Sequence, residues 1–456
     1  MKHRVLCAIA LLSLWISVSR AQQTAPNIIV ALRPGQSIDK VARDTATSVL
    51  RQIPGQPVFL MQVNSGTAAI AVQKMTLNLA VLFAESNRSI KLETGPNPAT
   101  ASDAQLGQSM AALLDGQTST AFYGADVLNA YVNQTALQIV GVPQTRYIST
   151  GKGTRIAFID TGVDADHPAL KSALDPGIDL IGSGSISEFD GISPDQTTWV
   201  RGNGNSIIDT RLSFLLKQSM AALLDDGSGQ SVPPGFPPSF GHGTLVAGVL
   251  HAVAPEARLV PIRAFDAYGN TTIYKLAEAI FRVSDLGVNV INMSFSTTEV
   301  SKALQQAVIY AQGKGVALVA SVGNESRNAA GIYPASYPLV SAVASTDFND
   351  QLAPFSNYGS IVAVSAPGAY VVSTAPGGRY AMAWGTSFSA PIESGAIALV
   401  GALNKTWVGS HNSAAVENTA VPIDDKNPSF VKQLGRGRIY MPNVYSAIFD
   451  QQSDQQ

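Results

Sequence analysis

Arg155-Ile156-Ala157-Phe158-Ile159-Asp160-Thr161-Gly162-Val163-Asp164 is the stretch on which the reading of this chain turns. Four apolar residues, too few for a helix, run into a carboxylate and a glycine turn, which is the form of a strand covered on both faces. Beyond it, short apolar runs alternate with helical patterns over residues 259–265, 273–286, 288–295, 300–312 and 316–322. Leu276, Ala277, Ile280 and Val283 fall on one helical face. The pattern predicts an α/β fold with a mostly parallel, doubly wound sheet. Strand ends in such sheets open on the crevice where ligands bind, so Asp160 is a candidate site residue rather than only a turn carboxylate.

Three further segments carry chemistry. In Gly241-His242-Gly243-Thr244 glycines on both sides leave the imidazole approachable, as a proton-shuttling base requires. His167, His251 and His411 have no such setting and read as structural. Ser321-Val322-Gly323-Asn324-Glu325 ends an apolar run with an amide that can donate to an alkoxide forming beside it. Gly385-Thr386-Ser387-Phe388-Ser389-Ala390-Pro391 opens an apolar helical stretch, where free N–H groups and the helix dipole favour an oxyanion. Pro391 is expected in that helix's first turn, where its missing N–H costs nothing.

Taken one at a time these are a turn, a lone histidine, a second turn and a helix cap. Together, the D-T-G, H-G-T and G-T-S-x-S-x-P motifs in the order Asp, His, Ser resemble the subtilase (subtilisin-like serine peptidase) family, whose triad has that chain order. The resemblance runs from about residue 138 to the closing segment at 434–439. It implies a serine endopeptidase with Ser387 as nucleophile, His242 as general base, Asp160 as its orienting carboxylate and Asn324 in the oxyanion hole. It also implies an acyl-enzyme intermediate and protein or peptide substrates lying extended along Ser294, Phe295 and Ser296 and against Gly323. Where the family usually has Leu and Gly, this chain has Phe295 and Ser296, so pocket size is open; an apolar preference before the cut bond is expected. Sedolisin-type peptidases share the G-T-S signature but lack a histidine between glycines. A binding scaffold without activity would not need all four residues.

The 456 residues are 46% hydrophobic and 14% charged with a net charge of −2, a globular composition with no basic field to draw nucleic acid or an anionic membrane. Lys2, His3 and Arg4 precede an apolar run over residues 5–18 and Ser19-Arg20-Ala21, the form of a secretory signal cleaved after Ala21. That run is shorter than the roughly 18 to 20 residues a spanning helix needs. No later membrane span is expected, and the protein is expected to be secreted, extracellular or periplasmic. The one cysteine, Cys7, lies inside the signal, which excludes thiol chemistry and disulfides from the mature protein.

Residues 22–92 alternate strand and helix patterns, with helices expected over 37–50 and 69–82, enough for a small α+β unit. This unit resembles the family's inhibitory propeptide, which the resemblance implies is removed by self-cleavage. Residues 93–137 read as a linker, 138–450 as the peptidase domain and 451–456 as a polar tail. Residues 182–240, rich in Gly, Ser, Asp and Pro, read as a surface insertion. Within it residues 218–225 (QSMAALLD) repeat residues 108–115 letter for letter, as a short helix-forming segment. No cofactor is required. A structural calcium ion is common in the family, and Asp190, Asp195, Asn203, Asn205 and Asp209 have suitable oxygens, but no continuous EF-hand loop joins them and ligands are unassigned. A metal reading of Asp160, Asp164, Asp166, His167 and His242 is weaker than the triad strand and its turn.

Overall fold

A computed structural model describes residues 26–92, 118–202, 221–222, 236–406 and 408–453. The expected signal, residues 93–117 of the expected linker and the first copy of the repeat lie outside them, whereas residues 118–137 of that linker are folded, with Tyr131 and Leu137 in the main core. The chain opens with β1 (Asn27–Leu32), α1 (Ile38–Thr45), β2 (Thr47–Gln52), β3 (Val58–Val63), α2 (Ala68–Thr76), β4 (Val81–Ser86) and β5 (Ser89–Lys91). β1 to β4 form an antiparallel sheet in the order β2-β3-β1-β4, and Ile28, Val30, Val41, Met61 and Met75 close a small core beneath the two helices. The helices expected over 37–50 and 69–82 are shorter than their apolar spacing suggested. Ala46 takes a left-handed conformation that stops α1, and Leu77 caps α2, so each run ends in a strand or turn instead.

A hairpin of β6 (Ser119–Phe122) and β7 (Ala125–Leu128) leads to the main sheet. Its strands are β8 (Arg155–Asp160), β9 (Ile178–Asp179), β11 (Arg258–Arg263), β13 (Val290–Met293), β14 (Ala317–Ser321), β15 (Val340–Thr346) and β16 (Val364–Pro367), in the order β16-β15-β14-β13-β8-β11-β9. Every pairing in it is parallel. Alternate residues of β8 feed the two cores: Ile156 and Phe158 face one, Ala157 and Ile159 the other. The first is covered by α4 (His242–Val253) and α7 (Thr386–Leu403), the second by α5 (Ile273–Ser284) and α6 (Lys302–Gly313). This is the doubly wound arrangement the apolar runs predict. After β8 the chain builds β9 and β11 on one side, then crosses to β13 on the other, so the crevice at the switch point lies at Asp160.

The described ends of the segment over 182–240 are less superficial than its composition implies. A 3₁₀ turn (Glu188–Gly191) and α3 (Pro194–Gly202) bury Glu188, Phe189 and Val200, with Phe240 at the segment's end. Of the second repeat copy only Ala221 and Ala222 are described; they form β10, an extended pair on β18 (Arg379–Ala383), rather than a helix. β18 (Arg379–Ala383) and β17 (Val371–Ala375) form the hairpin that precedes α7. α7 is the one described helix long and apolar enough to cross a membrane, yet it is the buried central helix of the fold. α8 (Gly409–Asn418) and α9 (Met441–Ser453) complete the chain.

The small unit sits on the free N-termini of α5 and α6. Glu85 accepts the Ser301 hydroxyl (2.6 Å) and the N–H groups of Lys302 (2.9 Å) and Ala303 (3.1 Å), while Asn87 accepts the Tyr274 N–H (3.0 Å). First-turn N–H groups have no partner within their own helix, so the unit supplies what both termini lack. Arg51 adds a 2.7 Å ion pair to the fully buried Glu278 of α5.

On the other face, His251 lies buried in α4 with neither ring nitrogen hydrogen-bonded among the described residues, its ring edge-on to Phe122. Burial, with smaller contributions from His167 and Arg146, pushes its pKa down to about 4. The proton is therefore taken up by the unfolded chain first, and stability that is full above the ordinary histidine pKa drains as pH falls from there to about 4. Between pH 7 and 4.5 the protein should lose about 2 to 3 kcal/mol more than its His251→Leu variant, read from urea unfolding midpoints. Parallel losses in the two proteins would contradict this.

Candidate active site

Asp160 is the last residue of β8 and His242 the first of α4. The two meet because the start of α4 presses against the loop after β8: a Cβ on Gly243 would stand 2.0 Å from the Gly162 carbonyl oxygen. No other residue permits that approach. His242 Nδ1 and Asp160 Oδ1 are 2.8 Å apart, both groups buried, and the Thr161 N–H donates to the same oxygen at 2.8 Å. The proton on Nδ1 leaves Nε2 as the basic nitrogen; it is buried and unpartnered among the described residues. Burial opposes charge on the imidazole, but the Asp160 carboxylate, aided by Glu188, outweighs it and holds the pKa above the ordinary value.

Ser387 is the second residue of α7 and only slightly exposed. Its hydroxyl donates to the Ser294 carbonyl at 3.3 Å rather than to His242. Pro391 lies inside α7, not in its first turn as expected, and its position has a local consequence. The Ser387 carbonyl would ordinarily accept the N–H of residue 391, which proline lacks; the Ser294 hydroxyl takes that place at 2.8 Å. Asn292 donates to Ser294 Oγ (2.9 Å) and accepts from Ser394 (3.0 Å), so β13 and α7 are tied by a buried relay. Sequence reading set Asn292 and Ser294 on the strand expected to line the substrate but missed Ser394, one helical turn past Pro391, which ties that strand to α7.

Asn324 follows β14. Its Oδ1 accepts both the N–H (2.8 Å) and hydroxyl (3.0 Å) of Thr386, which fixes the amide beside Ser387. Gly323 has φ +95°, and a Cβ there would come within 2.6 Å of Asn357 Nδ2. Phe295 is buried with residues 26–92 in place. Its ring lies 5.3 Å from that of Phe265 in the core, while Ser296 is buried beside it.

A second edge of the site was not visible in the sequence. β12 (Asn270–Thr272) pairs antiparallel with β5, and the Leu92 N–H donates to the Gly269 carbonyl at 2.6 Å. Ile90 and Leu92, two residues apart and both buried, enter the same apolar cluster as Phe265 and Phe295. A Cβ on Gly269 would touch both Leu92 and Ser239, and the Ser239 carbonyl accepts the His242 N–H. The tail of the small unit thus runs along a strand edge toward the turn that carries His242.

No group of three or more His, Cys, Asp or Glu residues arranged to hold a metal ion occurs among the described residues. Asp190 is paired with Arg263 at 3.2 Å, Asp195 is exposed in the first turn of α3, and Asn203, Asn205 and Asp209 lie outside the described residues. Asp164 accepts the Gly377 N–H, and His167 faces the Arg379 carbonyl at 2.8 Å, so neither joins Asp160 and His242 in a ligand set.

Residues 151–438, more than half of the chain, match the model of the subtilase family. Thermitase from Thermoactinomyces vulgaris is 33% identical over 321 residues, covering 68% of this chain and 94% of the relative. Subtilisin Savinase from Lederbergia lenta is 36% identical over 211 residues, 44% of this chain and 78% of the relative. The crystal structure of fervidolysin from Fervidobacterium pennivorans, a keratinolytic enzyme related to subtilisin, superposes with a TM-score of 0.65 at 22% identity, over 92% of this chain and 61% of that one. The parallel sheet, the strand-end aspartate bonded to a helix-start histidine, and these matches together make the chain a member of the subtilase family and a subtilisin-like serine protease.

Proposed function

We propose that Asp160, His242 and Ser387 are the catalytic triad, with Asn324 and the Ser387 N–H as oxyanion donors, in a secreted endopeptidase made as a self-processing precursor. The 2.8 Å bond between Asp160 and His242 carries the reading. It orients the imidazole and leaves Nε2 as the base. Rotation of the Ser387 hydroxyl away from the Ser294 carbonyl brings it toward that nitrogen. Ser387 then attacks the scissile carbonyl while His242 takes its proton and returns it to the leaving amine. Water repeats the sequence to release the acyl group. The charge on the tetrahedral oxygen falls at the start of α7, where the helix dipole and the Ser387 N–H favour it, and Asn324, locked by Thr386, is placed to add a donor.

The small unit supports the precursor reading. Its tail lies on β12 as an added strand, the way an extended peptide substrate binds through its backbone, with Ile90 and Leu92 filling apolar positions. Residues 22–92 would then inhibit by occupying the cleft until cut away. A substrate with apolar residues at the corresponding two positions would use the same contacts. Export rests on the leader over residues 1–21.

Replacing Ser387 by Ala should leave the purified protein at full precursor length after incubation, as judged by mass spectrometry; a shortened product in the pure variant would overturn self-cleavage. Asn324→Ala should keep KM near its original value and lower kcat on a peptide anilide by about 10²- to 10³-fold. An unchanged kcat would remove Asn324 from the oxyanion role.

A further inference from the structure

Glu188 is a fully buried carboxylate from the segment over 182–240, and its three partners flank the Asp160–His242 pair. Oε1 accepts the Thr161 hydroxyl at 2.5 Å and the Gly243 N–H at 3.0 Å, and Oε2 accepts the Thr244 hydroxyl. Thr161 follows Asp160; Gly243 and Thr244 follow His242. One carboxylate therefore grips both sides of the seam across which the pair is made. Gly243 also belongs to the first turn of α4, whose N–H groups have no intrahelical partner, so the carboxylate sits at the positive end of that helix. Thr244 extends the brace by accepting the Asp164 N–H at 2.8 Å.

We propose that Glu188 is a positioning residue for the serine protease reaction: it clamps the loop after Asp160 to the start of α4 and adds a second negative charge behind the His242 imidazolium. The inference rests on the triad reading. Charge of both signs surrounds the clamp. Asp160 and Asp164 lie on the β8 side, His242 on α4, and the Arg263–Asp190 pair on β11 and the Glu188 turn itself. Burial raises the Glu188 pKa to about 7, opposed by the Thr161 and Thr244 hydroxyls and reinforced by Asp160, so its charge is complete only above that pH, where kcat is compared. Its field in turn favours the protonated form of His242. As His242 gains a proton in the transition state, the second carboxylate lowers the cost of that charge.

Glu188→Gln keeps the shape of the side chain and removes its charge. In the processed enzyme, with a chromogenic peptide anilide, kcat should fall about tenfold at unchanged KM, and the acid limb of kcat/KM should move down by roughly half a pH unit, because His242 loses a field that favours its proton. Glu188→Asp, which restores the charge, should return the limb toward its original position. A Glu188→Gln enzyme with the original kcat and acid limb overturns the proposal, whatever its melting temperature. Should Glu188→Gln not mature, the same effect is read by NMR titration of His242 in the uncut Ser387→Ala protein with and without Glu188→Gln. A lowered His242 pKa sustains the proposal and an unmoved one overturns it. Failure of the triad reading itself would appear separately, as peptidase activity persisting in Ser387→Ala alone.

Discussion

The Asp160–His242 hydrogen bond is the constraint around which the rest is arranged, because it joins two elements that the chain separates by 82 residues. It requires the start of α4 to approach the end of β8 more closely than any side chain at position 243 allows. Glycine at 243 permits the contact, and Thr161, Thr244 and Glu188 hold it from behind. The parallel sheet places Asp160 at its switch point, where strands leave in opposite directions and a crevice opens. α7 then delivers Ser387 to the same crevice, fastened to β13 through Ser294 and Asn292. The missing N–H of Pro391 frees the carbonyl that Ser294 binds, so a residue within a helix sets up a contact to the neighbouring strand.

The two faces of the sheet are put to different uses. One carries α4 and α7 and is almost wholly closed, which keeps the imidazole in a setting of low polarity where its carboxylate partner acts strongly. The other carries α5 and α6, whose N-termini face the small unit. Glu85 and Asn87 complete those termini, and the tail after β4 is thereby drawn along β12. Docking and strand pairing are thus one geometric event: the unit that caps the helices is the same unit whose tail pairs with β12. The chemistry of a subtilisin-like protease is compatible with this only if the tail can leave, which is why processing belongs to the functional reading.

Much of this was legible in the sequence because the relevant signals are local. The apolar runs at 156–159, 288–295 and 316–322 give strands because they are too short for anything else, and the face of Leu276, Ala277, Ile280 and Val283 gives α5. The motifs around Asp160, His242, Asn324 and Ser387 are contiguous in sequence, so their residues could be named before their geometry was known. What stayed hidden depends on distant partners. Glu188 lies in a polar stretch that resembles surface loop, and only tertiary contact with Thr161 and Thr244 makes it part of the site. β5 is three residues long, too short for any periodicity, and exists because β12 offers it an edge. The same reason explains the overlong helices expected before β2 and β4: apolar spacing continued past Thr45 and Thr76, while sheet pairing claimed the residues beyond.

The most direct test of the account is active-site labelling. The processed protein is treated with a fluorophosphonate, digested and mapped by mass spectrometry, alongside a His242→Ala variant. The account predicts one label per molecule, on Ser387, and its loss in the variant because the serine no longer has a base. Labelling of another residue, or undiminished labelling of Ser387 without His242, would contradict it.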